Sequence, residues 1–257
     1  MRLRWRPMLS TLAGSAGVLA ALVALWWATS HGGWVSRVFL PTPEATLASL
    51  AQGLSDGPLA GFTLATLGRM LAGWLLASLL GMALGLWIGS SAAARAWLQP
   101  SLEFIRPLPA SAVMPPAIAV FGLSPGMVLF VVAFGAMWPV LLATVQGVAG
   151  VHVRLKEVSA ALQLTRTAFV WRIALPHVLP DILAGMRLSM TVSLIVSVVG
   201  EMIASQSGLG QAVLLAARSF RASDLFAGVL LLGAIGFVSN TGLALAERRL
   251  LRWQAHT

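Results

Sequence analysis

The sequence predicts an all-α, polytopic membrane protein with about six transmembrane helices, and three observations carry that prediction. Its 257 residues are 58% hydrophobic and only 10% charged, against roughly a quarter charged in water-soluble domains. Mean hydropathy is +0.87. Apolar runs of about 18 residues or more, enough to cross a bilayer, recur along the whole chain and leave no room for a separate soluble core, so a single domain over 1–257 is expected.

The first run, 12–29, follows Arg2, Arg4 and Arg6, which is also how a secretory signal peptide begins. Its length, Trp26 and Trp27 at its far end, and the lack of a small-x-small cleavage site before Ser30 favour a retained anchor. Further spans are expected at 62–89, 100–122, 126–149, 182–204 and 225–246. Six spans put both termini on one side. Most arginines lie at the termini, around Arg95 and in the loop 151–181, leaving Arg37, Arg218 and Arg221 for the other side. The positive-inside rule then makes the termini and that loop cytoplasmic, and reads the net charge of +9 as a topology signal. Nucleic acid is not an expected partner, because no basic cluster is interleaved with aromatics on a solvated face.

With tyrosine absent, interfacial anchoring falls to tryptophan: Trp5, Trp97, Trp171 and Trp253 at cytoplasmic ends, Trp26, Trp27 and Trp34 at the outer end of the first span. In the second span Gly73, Ala77, Gly81, Gly85 and Gly89 recur every four residues, a face that lets backbones approach closely in lipid. Pro100, Pro107, Pro109, Pro115 and Pro116 cannot all sit in one unbroken helix. The third span therefore faces the protein interior or a pathway, or packs as a kinked helix.

Charges within or at the edges of spans are Arg69, Glu103, Arg106, Arg187 and Glu201. Each is costly in hydrocarbon and should face the bundle or a water-filled path. Arg69 and Glu201 lie at comparable depth, so they are expected to pair, either to fix helix packing or to line the solute path; Arg106 is a third candidate for these roles.

Catalytic chemistry finds few candidates. Cysteine is absent, no histidine falls in a predicted span, and Ser205 to Gly208 is not a nucleophile elbow. His177 and Asp181 stand four apart but lack a third ligand nearby, so no metal site is expected. The only lysine, Lys156, has no glycine loop before it. No cofactor is expected on this chain, and if ATP drives it another chain must bind the nucleotide.

That leaves the loop 151–181, where Lys156 to Ile173 has helical composition. Val158, Ala161, Leu162, Thr165, Phe169 and Ile173 fall on one helical face. Pro176 is expected to end this helix and Pro180 to start the fifth span. Such a helix could rest on lipid headgroups or present its polar side to a soluble subunit.

The loop resembles the one in permease subunits of binding-protein-dependent ABC importers, whose pattern is Glu-Ala-Ala, three residues, Gly, nine residues, Ile-x-Leu-Pro. Here Glu157-Val158-Ser159 takes the first triplet, Gln163 the glycine place, and Ile173-Ala174-Leu175-Pro176 the end, with every spacing kept. The alanines and the glycine differ, so the helix either runs on through Gln163 or turns near Thr165. The likeness extends along the chain and is greatest to the nitrate, aliphatic-sulfonate and taurine group. It is carried in order by Leu40-Pro41-Thr42-Pro43, Thr66 to Gly73, Arg106-Pro107-Leu108-Pro109, Pro115-Pro116, Phe121 to Ser124, Gly185 to Leu188, Gly200-Glu201-Met202 and Gly208-Leu209-Gly210.

The resemblance implies a MetI-like permease fold in a bacterial inner membrane and a homodimer of this chain. It further implies two cytoplasmic ATPase subunits carrying ATP and magnesium, and a periplasmic or lipid-anchored solute-binding protein. It assigns Glu157, Ala160, Ala161, Gln163, Thr165 and Arg166 to the ATPase-coupling segment, with Ile173, Leu175 and Pro176 holding it against the bundle. The solute implied is a small oxyanion or organosulfonate, the alternative being a pyrimidine vitamin precursor. A self-contained secondary transporter or intramembrane enzyme is the competing class.

Overall fold

The computed structural model describes residues 6–251, so Arg2, Arg4, Trp5, Trp253 and His256 lie outside the described residues, as does the side chain of Arg166. The described residues are helical and contain no strand: α1 Arg6–His31, α2 Pro43–Ser55, α3 Leu59–Ser90, α4 Ala92–Ile105, α5 Ala110–Phe121, α6 Pro125–Ala149, α7 Val153–Ala161, α8 Arg166–Phe169, a π-helical turn Val170–Ala174, α9 Leu175–Ala204, α10 Leu209–Arg218 and α11 Ala222–Leu250. Among the described residues four helices are long and apolar enough to cross a membrane, at 59–90, 125–149, 167–204 and 222–250. The bent pair α4 and α5 adds a fifth if it counts as one span. The first expected span, 12–29, is helical throughout as part of α1.

The break that the prolines predict in the span at 100–122 is present: it is two helices bent by 93°, because Pro107 and Pro109 remove amide donors where the chain turns. Two expectations about these elements need correction. Pro176 does not end a helix: helical structure runs unbroken from 167 to 204. The wider π turn just before Pro176, where the Leu175 N–H reaches the Val170 carbonyl, absorbs the register that a proline would otherwise break. The fifth helical segment thus begins well before 182. In addition, α2 and α10 form in stretches between the expected spans; α2 has a Thr42 N-cap, whose side chain accepts from the Ala45 N–H, followed by Pro43.

The chain forms two compact units. One comprises the described residues up to Ala60 with Ala212–Leu231, the other Gly61–Gln211 with the described residues from Leu232 onward. In the first, Trp26 donates its indole N–H to the Pro41 carbonyl at 2.9 Å and stacks on Phe226 with ring centroids 5.8 Å apart. Trp27 donates to Glu44 at 2.9 Å and Ser49 to Asp224 at 2.6 Å. The backbone N–H of Glu44, with the Thr42 side chain, His31 and Trp27, holds the Glu44 carboxyl below its ordinary value. A carboxyl lowered in this way stabilises the fold above its unfolded pKa and loses that contribution as pH falls through the lowered value.

The second unit is built on close approach of α3 and α9 to α6. Gly73, Ala77, Gly81, Gly85 and Gly89 are all buried, as their spacing predicts. A methyl group on Gly81 would lie 2.8 Å from the Met137 carbonyl oxygen, and one on Gly85 3.0 Å from that of Leu141. Only glycine permits that separation. Across the other side of α6, Gly185 faces the Pro139 carbonyl at a distance that would leave an added methyl 2.8 Å away. Ser189 donates to the Ala136 carbonyl and Ser193 to that of Met70, both at 2.6 Å, and Trp74 donates to the Met186 carbonyl at 2.9 Å. These bonds tie α9 to α6 and α3 where apolar packing alone has no water to drive it. Arg187, within α9, pairs with Glu247 of α11.

Candidate functional site

Two sites emerge, one charged and buried, the other exposed. At the end of α9, Glu201 is fully buried, a position that a carboxylate tolerates only when its oxygens are matched by donors. Arg69 of α3 donates Nη1 to Glu201 Oε1 at 2.6 Å, and both Thr66 Oγ1 and the Gly210 N–H donate to Oε2 at 2.9 Å. The ties continue outward: Leu209 donates its N–H to Thr66 Oγ1 at 2.9 Å, and Arg69 Nη2 donates to the Ser207 carbonyl at 2.8 Å. The structure therefore brings Arg69 and Glu201 together, and adds the turn at 205–210 as a third partner. That turn starts at Ser205, whose φ of 49° ends α9. It folds Gly208 flat against the carboxylate, where an added methyl would meet both oxygens.

The second site is α7 and its surroundings. Val151 and Ser159 are buried, and Leu155 and Phe169 pack with Val148, Ala174, Val178 and Ile182. These contacts seat α7 on the ends of α6 and α9. Glu157, Ala160, Ala161, Gln163 and Thr165 are exposed, as are Val153, Val158 and Leu162. The single apolar face expected through Ile173 is therefore not the packed one, because the helix stops at Ala161 and the two halves do not share a register. Of the closing residues, Leu175 packs into the cluster, Ile173 is half-buried and Pro176 is exposed. The backbone of Arg166 opens α8; its side chain lies outside the described residues.

Gln163 occupies the left-handed region at φ 51°. The Leu164 N–H bonds the Ser159 carbonyl and the Gln163 N–H that of Ala160, both at 3.0 Å, the paired pattern of a Schellman helix end. The turn is thus made by glutamine, at the place where the loop pattern that this segment resembles carries glycine. Left-handed backbone costs a side-chain-bearing residue about 1–2 kcal/mol, offset in part by the extra freedom glycine adds to the unfolded chain. Gln163→Gly should accordingly be neutral to mildly stabilising and Gln163→Ile destabilising, as read from thermal unfolding of the detergent-purified protein.

Residues 77–252 match the family of binding-protein-dependent transport system inner membrane components. The chain belongs to that family. The permease is 31% identical over 258 residues to the taurine transport system permease protein of Escherichia coli (strain K12), covering 98% of this chain and 94% of that one. It is 32% identical over 235 residues, 91% of this chain and 85% of the relative, to a protein of Bacillus subtilis (strain 168) named for aliphatic sulfonates transport. A bicarbonate transport system permease protein of Synechococcus elongatus is 27% identical over 259 residues, with 97% and 93% covered.

Within the permease, Arg106 stands apart from the Arg69 and Glu201 pair. It caps α4 at the 93° break and lines a cleft of about 570 Å³ between α6 and α9. Sequence reading missed the row Ser189, Ser193, Ser197 and Glu201, all fully buried at four-residue spacing on α9. Its signal was present as a polar period of four through an apolar run, the counterpart of the glycine period on α3.

Proposed function

We propose that this permease works as a pair of identical chains in a bacterial inner membrane, termini in the cytoplasm. Two cytoplasmic ATPase subunits, which bind ATP and magnesium, dock on its α7 segments, and an external binding protein delivers a small oxyanion or organosulfonate. The family and the relatives named for taurine, aliphatic sulfonates and bicarbonate support the solute class. The observation that carries the coupling role is the geometry of α7, whose inner side is locked into the α6 and α9 core while Glu157, Ala160 and Ala161 point outward. A short helix seated in a partner's groove moves with it as a rigid body. Only the short turn at 162–165 separates α7 from the continuous helix at 167–204, and that turn is closed by the Leu164 and Gln163 N–H bonds to the end of α7, so a push on α7 is passed to a membrane-crossing helix through a hydrogen-bonded link.

Glu157→Lys tests this reading. Reversing a charge at a docking contact costs several kcal/mol of association, so uptake by the reconstituted transporter should fall about tenfold or more while the chain inserts normally. The purified variant should also lose the ATPase subunit that the parent chain retains. Undiminished uptake by Glu157→Lys would remove the coupling assignment, and transport by vesicles holding this chain alone would favour a self-contained transporter.

A further inference from the structure

The cleft between α6 and α9 contains two charged side chains, Arg106 and Asp181, together with Gln146 and His177. It opens at the end of the bundle that carries α7, since Val178 and Ile182, on either side of Asp181, pack in the cluster that seats α7. Among the described residues neither Arg106 nor Asp181 forms an ion pair with the other or with any third group. Both are exposed, and the Asp181 carboxylate lies close to the backbone of Gly147, where a methyl group would come within 3.0 Å of Oδ2. Arg106 and Gln146 also line a neighbouring cavity of about 300 Å³, so Arg106 borders both hollows.

Charges on membrane-crossing helices are tolerated when they pair or face water. Here a cation and an anion share one cleft yet stay apart, so each is open to a ligand group of the opposite sign. The bulk of the lining, Pro139, Leu142, Ala143, Ala184 and Leu188, is apolar, as small-molecule sites usually are.

We infer that this cleft contacts the solute during passage, Arg106 holding its anionic group and Asp181 selecting solutes that carry an amine as well. The inference rests on the organosulfonate reading above and adds the residues that discriminate among such solutes. Arg106 suits the planar or trigonal oxygens of an oxyanion because its guanidinium offers a fixed fork of donors. Asp181 repels a plain anion but favours a zwitterion, so the pair sets a preference rather than affinity alone.

The test uses the complete transporter in proteoliposomes, with uptake of taurine and of its amine-free analogue ethanesulfonate measured beside ATP hydrolysis. Arg106→Gln is expected to lower uptake of both solutes by about tenfold with hydrolysis retained, and Arg106→Lys to restore part of it. Asp181→Asn is expected to lower taurine uptake relative to ethanesulfonate by about tenfold. The inference is overturned if the variants keep the parent's uptake, or if Asp181→Asn changes both solutes by the same factor. If the parent transporter takes up neither solute, the organosulfonate reading falls and this inference falls with it; parental uptake with unaffected variants removes the inference alone.

Discussion

Arg69→Ala is expected to cost about 3–5 kcal/mol, the scale of removing one partner from a buried ion pair. Glu201 is fully buried and the Arg69 side chain is only 18% exposed, so water cannot readily replace the guanidinium. Thr66 and Gly210 would still donate to Oε2, but Oε1 would lose the guanidinium and the Ser207 carbonyl its Arg69 donor. Arg69→Lys should recover part of the loss, since one ammonium cannot reproduce a fork that reaches both the carboxylate and the Ser207 carbonyl. Thermal unfolding in detergent checks both variants. A melting temperature for Arg69→Ala equal to that of the parent would mean that the pair contributes nothing to packing.

Gly208→Ala should be nearly as damaging, although it adds a single methyl group. That methyl would sit 2.6 Å from Glu201 Oε1 and closer still to the rest of the carboxylate. Overpacking usually costs about 1–3 kcal/mol, and here the obstructed group cannot swing aside without giving up the bonds from Arg69, Thr66 and Gly210. Gly68→Ala and Gly233→Ala are the controls, since an added methyl at either finds nothing within 4 Å. If Gly208→Ala melts with these controls, the turn does not press on the carboxylate as the geometry requires.

These two residues show how unevenly the site was legible. Arg69 and Glu201 announced themselves because a charge in an apolar run needs a partner, and comparable depth narrowed the choice. Gly208 and Gly210 were visible as parts of a family pattern, but their purpose, leaving space for a carboxylate and supplying an N–H to it, depends on a turn that no periodicity encodes. The segment 151–181 was legible in spacing and misread in conformation. Continuous helical composition hid the stop at Ala161, since a left-handed glutamine carries no local signal comparable to glycine. Likewise Pro176 reads as a terminator until a π turn is placed before it.

By itself the sequence determined the helical class, the position of most long helices, the close-packing face of α3 and the family, because hydropathy, small-residue spacing and ordered motifs are properties of short stretches. Tertiary structure alone decided which side of each helix is buried, the 93° break, the left-handed Gln163 and the three donors on Glu201. The physical reason is the solvent: lipid is as apolar as a protein core, so a helix facing either looks the same in composition. Only contact with a neighbour, measured in ångströms of backbone approach and in hydrogen bonds made, tells the two faces apart.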